Sequence, residues 1–278
     1  MNSELEHHFV KVAGMNTHYI VVGKGPPVIL LHGLGASVIA WRDTVGPLSQ
    51  ICKVYAVDIP GHGDSEKPDI PYTSQTGIMF LRDFLEVLDI QQVALTGNSM
   101  GGLLALGFAL RYPDRVTGLV LVGTAGLGKK VPLFMRLATL PLLGEILEHF
   151  VLSRSRAILG QVFSNPRFAT EDLRQELTRV RSLPGARRAE LSAIRNGVNL
   201  WGEIKSDILL DRIQELRIPI LIVWGSDDKI IPKEHAINAA GANKLAEMII
   251  VPNCGHWPQI EQASLFNLML SEFLRKLT

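Results

Sequence analysis

The chain alternates short apolar runs with longer segments in which apolar residues recur every three or four positions. The runs at 28–31, 54–57, 93–96, 119–122, 218–223 and 248–251 are almost wholly apolar, as strands covered on both faces must be. Two earlier runs, 9–12 and 18–22, lie close enough to pair as a hairpin. Between the runs, residues 75–88, 100–112, 233–240 and 263–277 carry apolar side chains at helical spacing. Strands separated by crossover helices predict an α/β fold, a mostly parallel central sheet flanked by helices.

The rhythm breaks once. The interval from 122 to 218 shows helical patterns and no convincing strand, with stops at Pro132, Pro141, Gly144, Pro166 and Pro184-Gly185 that predict several short helices. Residues 128–205 are therefore read as an inserted helical cap, which divides the core into 1–127 and 206–278. An insertion there leaves the sheet at its C-terminal edge, where parallel sheets build their sites. Leu133, Phe134, Leu137, Leu140 and Leu143 give the first cap helices an apolar face that either packs on the core or lines a pocket.

Composition narrows the classes. Of 278 residues, 47% are hydrophobic and 20% charged, enough to bury a large core. The net charge of +1, with no long single-sign run, argues against a nucleic-acid partner. The opening residues place Glu4 and Glu6 where a secretion signal needs bases, and the two cysteines, Cys52 and Cys254, are far apart and outside any metal-ligand spacing. Both point to a cytoplasmic protein with reduced thiols and no metal or organic cofactor. The most apolar stretch, 131–152, is interrupted by Pro132, Arg136, Pro141, Glu145 and Glu148, so an integral membrane span is not expected.

Gly97-Asn98-Ser99-Met100-Gly101 follows one apolar run and opens a helical pattern. A strand, a tight turn and a helix are the setting in which GxSxG lifts a serine hydroxyl clear of the backbone. A serine needs a base, and the base needs an orienting acid. Asp227 and Asp228 follow the run 218–223, and His256 follows the run 248–251 just before the last helix. Taken singly, each signal has a bland reading, a glycine-rich helix entry or a solvent-facing histidine. Together they fit a Ser-Asp-His order.

The chain as a whole resembles the α/β-hydrolase superfamily in its serine-nucleophile branch. Besides the elbow, the resemblance rests on His32-Gly33-Leu34-Gly35 and on Asp58-Ile59-Pro60-Gly61-His62-Gly63-Asp64-Ser65. It implies Ser99 as nucleophile, His256 as general base and Asp228 as the acid, since the family spacing from Gly225 to Pro232 selects Asp228 over Asp227. It also implies an oxyanion hole built by the backbone N–H groups of Leu34 and Met100. Asp58, His62 and Asp64 are read as a turn beside the pocket, and His7, His8, His18, His149 and His235 as surface or packing residues. Trp41, Trp257, Phe134 and Leu137 are candidates to line the substrate pocket.

Within that superfamily, a serine nucleophile argues against the aspartate-based dehalogenases and epoxide hydrolases. Local motifs at 97–102 and 254–257 are similar to the meta-cleavage product hydrolases, which cleave carbon–carbon bonds. The loop at Leu34-Gly35-Ala36-Ser37 departs from the glycine-rich sequence those enzymes use for an anionic dienoate, and no one of the cap arginines (Arg154, Arg156, Arg167, Arg174, Arg179, Arg181, Arg187, Arg188, Arg195) is singled out for the ketoacid. The expectation is thus a carboxylesterase-like hydrolase of an apolar small-molecule ester, with C–C bond hydrolysis as the alternative. A ligand-binding, receptor-like module of the same fold and a lipid-surface protein are further readings.

Overall fold

A computed structural model describes residues 6–147 and 155–277. His149, Arg154 and the end of the apolar stretch 131–152 lie outside the described residues. The hairpin forms as expected, β1 (His7–Val12) pairing antiparallel with β2 (Met15–Val22). There follow β3 (Pro27–Leu31), α1 (Arg42–Leu48), β4 (Lys53–Val57), α2 (Ser74–Val87), β5 (Val93–Asn98), α3 (Met100–Arg111) and β6 (Val116–Val122). The inserted segment contributes α4 (Leu133–Leu137), α5 (Leu143–Leu147), α6 (Ser155–Val162), α7 (Glu171–Ser182) and α8 (Ala186–Gly197), then two very short strands, β7 (Val198–Asn199) and β8 (Gly202–Glu203). The core resumes with β9 (Ile220–Gly225), α9 (Glu234–Ala242), β10 (Ala246–Val251), α10 (Pro258–Glu261) and α11 (Ala263–Arg275).

Eight of these strands form one sheet in the order β1-β2-β4-β3-β5-β6-β9-β10. Strand β2 runs antiparallel to both neighbours, and every pairing from β4 across to β10 is parallel. Successive strand residues enter opposite faces. Ile29, Leu31, Leu95, Leu119, Leu121, Ile220 and Ile222 join Phe84, Phe108 and Ala236 of α2, α3 and α9 on one side. Val28, Leu30, Ala94, Val120, Val122, Leu221 and Val223 join Val45, Phe266 and Leu270 of α1 and α11 on the other. Burial on both faces is why these runs read as continuously apolar.

Two expectations are corrected. The insertion is not wholly helical, because β7 and β8 close a tight turn in which Asn199 Oδ1 accepts the Trp201 N–H and Gly202 adopts φ +125°. Two-residue strands are too short to register as a period. Gly144 lies inside α5 rather than ending a helix. Among the described residues no helix is long and apolar enough to cross a membrane. Cys52 and Cys254 are buried and unpaired.

The parallel register brings the ends of β3, β5, β9 and β10 to one edge. His32 and Ser99 follow directly on β3 and β5, and Asp228 and His256 lie in the short loops that follow β9 and β10.

Candidate active site

Ser99 occupies the turn from β5 into α3 with φ +55° and ψ −119°, a conformation that non-glycine residues seldom adopt. The flanking glycines make this turn possible. A Cβ on Gly97 would lie 2.3 Å from the Gly101 carbonyl oxygen, and one on Gly101 would lie 2.2 Å from that of Leu31. The Ser99 side chain makes no capping bond to α3, so its hydroxyl is not spent on the helix it precedes.

Asp228 is held from three sides. Its Oδ1 accepts the N–H groups of Ile230 and Ile231 at 2.8 and 2.9 Å, and its Oδ2 lies 2.7 Å from His256 Nδ1. The carboxylate is fully buried and the imidazole nearly so. Asp227 is exposed beside Ser226. The adjacent acids thus have different surroundings, and it is Asp228 that meets the histidine. A carboxylate at Nδ1 takes that proton's hydrogen bond and leaves Nε2 as the basic nitrogen.

The histidine loop is tied to both halves of the molecule. His256 N–H donates to Val162 O at 2.6 Å, and Asn98 Nδ2 donates to His256 O at 3.1 Å. Buried Glu261 accepts the Gly255 N–H at 2.7 Å, the Asn165 N–H at 2.8 Å and the Ser164 hydroxyl and N–H. Neither Asn98 nor Glu261 was singled out by sequence. Beyond a place beside the serine or the histidine motif, they carry no signal in the sequence.

The loop after β3 is fixed by His32, whose Nδ1 donates to Gly33 O at 2.8 Å while Nε2 accepts the Ile59 N–H at 3.1 Å. Burial lowers its pKa, which agrees with a neutral ring. Gly33 lies against the nucleophile, since a Cβ there would be 3.1 Å from Ser99 Cβ, and this places Leu34 beside the serine. Met100 opens α3, where the first amides of a helix have no intrahelical acceptor. Asp58 accepts the N–H groups of Val38 and Asp64 and pairs with His18 at 2.6 Å. The segment from Asp58 to Asp64 is accordingly braced as a turn.

Two cavities meet at Ser99. The first, about 130 Å³, runs between core and insertion past Ile59, Phe80, Leu103, Val131 and Ile194. The second, about 90 Å³, also reaches His256 and Trp257 and is walled by Phe134, Leu159 and Leu177. Leu34 borders both, and Met100 borders the first. Two of the proposed pocket residues lie elsewhere. Trp41 is fully buried against Phe266, because its segment packs on α11 rather than facing the site, and Leu137 lines neither cavity. Among the described arginine side chains of residues 128–205, Arg181 is the one that lines the second cavity, buried and 2.6 Å from Glu190.

Comparison with known proteins agrees with this fold. A family model described as alpha/beta hydrolase fold matches residues 26–263. The chain is 31% identical over 272 residues to 2-hydroxy-6-oxo-6-(2'-aminophenyl)hexa-2,4-dienoic acid hydrolase of Metapseudomonas resinovorans, covering 96% of this chain and 90% of that one. It is 30% identical over 283 residues to 2-hydroxy-6-oxo-2,4-heptadienoate hydrolase of Pseudomonas putida, covering 99% and 98%. The solved meta-cleavage product hydrolase of Pseudomonas fluorescens IP01 superposes with a TM-score of 0.83 at 27% identity over the whole of both chains.

Proposed function

The chain belongs to the alpha/beta hydrolase fold family, and on that premise we propose that it is a serine hydrolase cleaving a small or medium acyl ester through an acyl-enzyme on Ser99. The observation that carries the reading is the strained Ser99 sharing a cavity with His256, whose Nδ1 is held by the otherwise fully bonded Asp228. Ser99 Oγ attacks the carbonyl carbon as His256 Nε2 takes its proton. The oxyanion is received by the N–H groups of Leu34 and Met100, worth about 3 kcal/mol per donor. Collapse expels the alcohol with the proton from His256, and water then releases the acid by the same route. Residues 128–205 act as the cap that shapes the pocket.

An ester is favoured by the first cavity, whose lining includes no Lys or Arg among the described residues, and by the engagement of Arg181 with Glu190. A second reading, C–C bond hydrolysis of a ketoacid, is supported by the position of Arg181 in the cavity shared by Ser99 and His256, and by the reactions named for the relatives. Purified protein assayed against p-nitrophenyl esters of graded length and one dienoate ketoacid separates the two. Turnover of esters alone supports the first, preference for the ketoacid the second. Failure of both, with no phosphonate adduct on Ser99, leaves the receptor-like module.

A further inference from the structure

The first cavity is apolar over most of its wall, yet three buried polar side chains open on it. Glu203 on β8 is 5% exposed, and Asp207 just beyond is 6% exposed. Glu203 Oε2 accepts the Gly126 N–H at 3.0 Å, and Asp207 Oδ1 accepts the Ser74 hydroxyl at 2.7 Å, with the Ser206 hydroxyl a further donor to the Asp207 carboxylate. The third is His62, 3% exposed. Its Nδ1 faces the Pro60 carbonyl at 3.3 Å, which places the proton there and leaves Nε2 a lone pair; that nitrogen has no hydrogen-bond partner.

All three present acceptor capacity, and the described residues lining this cavity include no Lys or Arg, the cations felt by His62 being Lys67 and Arg181 outside that lining. Of the three, His62 Nε2 is a buried acceptor without a donor, a cost that a plain hydrocarbon guest would leave standing. We propose that the larger cavity binds a substrate arm that is apolar along its length and carries a hydrogen-bond donor, an amine or a hydroxyl, accepted by Glu203 and Asp207, with His62 Nε2 as a further acceptor in the same cavity. This rests on the reading of Ser99 as the reacting residue at the mouth of that cavity. Burial favours the protonated form of Glu203, and an ammonium placed beside it favours the carboxylate, with the proton released to solvent.

The test is calorimetric titration with 4-phenylbutylamine, 4-phenylbutan-1-ol and the methyl ether of that alcohol, which keeps the oxygen but lacks the donor. The amine and the alcohol are expected to bind at least about tenfold more tightly than the ether, because a site built around hydrogen bonds discriminates against an analogue that lacks one. Glu203→Gln keeps an acceptor for the Gly126 N–H and removes the charge, and is expected to weaken the amine by about tenfold or more while leaving the alcohol within about threefold. Thermal unfolding of the variant checks that it folds. Equal binding of all three compounds, or a Glu203→Gln protein with an altered melting temperature and unaltered binding ratios, overturns the proposal and leaves Glu203 a structural cap for Gly126. Phosphonate labelling of Ser99 is read on the same sample. Labelling without donor preference overturns this assignment alone, and donor preference without labelling overturns the hydrolase reading alone.

Discussion

Gly123 packs directly against His256: a Cβ on this glycine would lie 2.9 Å from His256 Nδ1 and 3.3 Å from Asp228 Oδ2. Its φ of +50° already disfavours any side chain. Gly123→Ala is therefore expected to displace the imidazole and to lower kcat by about tenfold to a hundredfold, with an unfolding penalty of roughly 1 kcal/mol. Steady-state kinetics beside a melting curve check this. Unchanged kcat in a folded variant would show that the imidazole position tolerates the methyl group.

Glu261 gathers the histidine loop and the segment after α6 onto one carboxylate. Replacing it with Ala strands several buried donors, and a loss of about 2–4 kcal/mol in unfolding free energy is expected, with Glu261→Gln intermediate. Denaturant unfolding gives the number. A loss below about 0.5 kcal/mol would mean that the loop is held by packing alone.

The insertion offers a matched pair of substitutions. Phe134 borders the second cavity and Leu137, on the same short helix, borders neither. Phe134→Ala is expected to change relative kcat/KM across an ester series by about tenfold, while Leu137→Ala changes all esters alike. Identical profiles for the two variants would place Phe134 in the packing rather than the pocket.

Burial, with neighbouring Asp207 adding to it, holds the Glu203 carboxyl up to about 8. Between the ordinary carboxyl value and that value the folded chain keeps a proton that the unfolded chain has released. The stabilisation is complete below the ordinary value and lost as pH rises through about 8, on the order of a few kcal/mol. Melting temperatures of the wild type should fall across this window, and those of Glu203→Gln should fall less. Parallel curves would show that Glu203 titrates normally.

Much of this architecture was legible because its determinants are local or periodic. The doubly covered strands announce themselves as apolar runs, and the elbow as two glycines around a serine. The choice of Asp228 over Asp227 followed from family spacing, and the exposure of Asp227 agrees with it. Helix α1 is not among the elements expected from sequence, none of which falls between the runs 28–31 and 54–57. It is only seven residues long and holds Pro47 in its last turn. The misplacement of Trp41 has a different cause: a buried aromatic next to a loop looks the same in sequence whether it faces a pocket or, as here, Phe266. The pairings Arg181–Glu190 and Glu203–Gly126 join residues far apart in role and carry no motif, so only the folded chain reveals them.

The central claim is that Ser99 is a nucleophile activated by His256 and Asp228. Asp228→Asn is expected to lower kcat by about four orders of magnitude, against less than about one for Asp227→Asn.

The most direct measurement is the intact mass of the protein after incubation with an activated alkyl phosphonate, followed by peptide mapping. The account predicts a single adduct on Ser99, absent in Ser99→Ala and formed at least about a hundredfold more slowly in His256→Ala. No adduct on the wild type, or one that persists in Ser99→Ala, would contradict it.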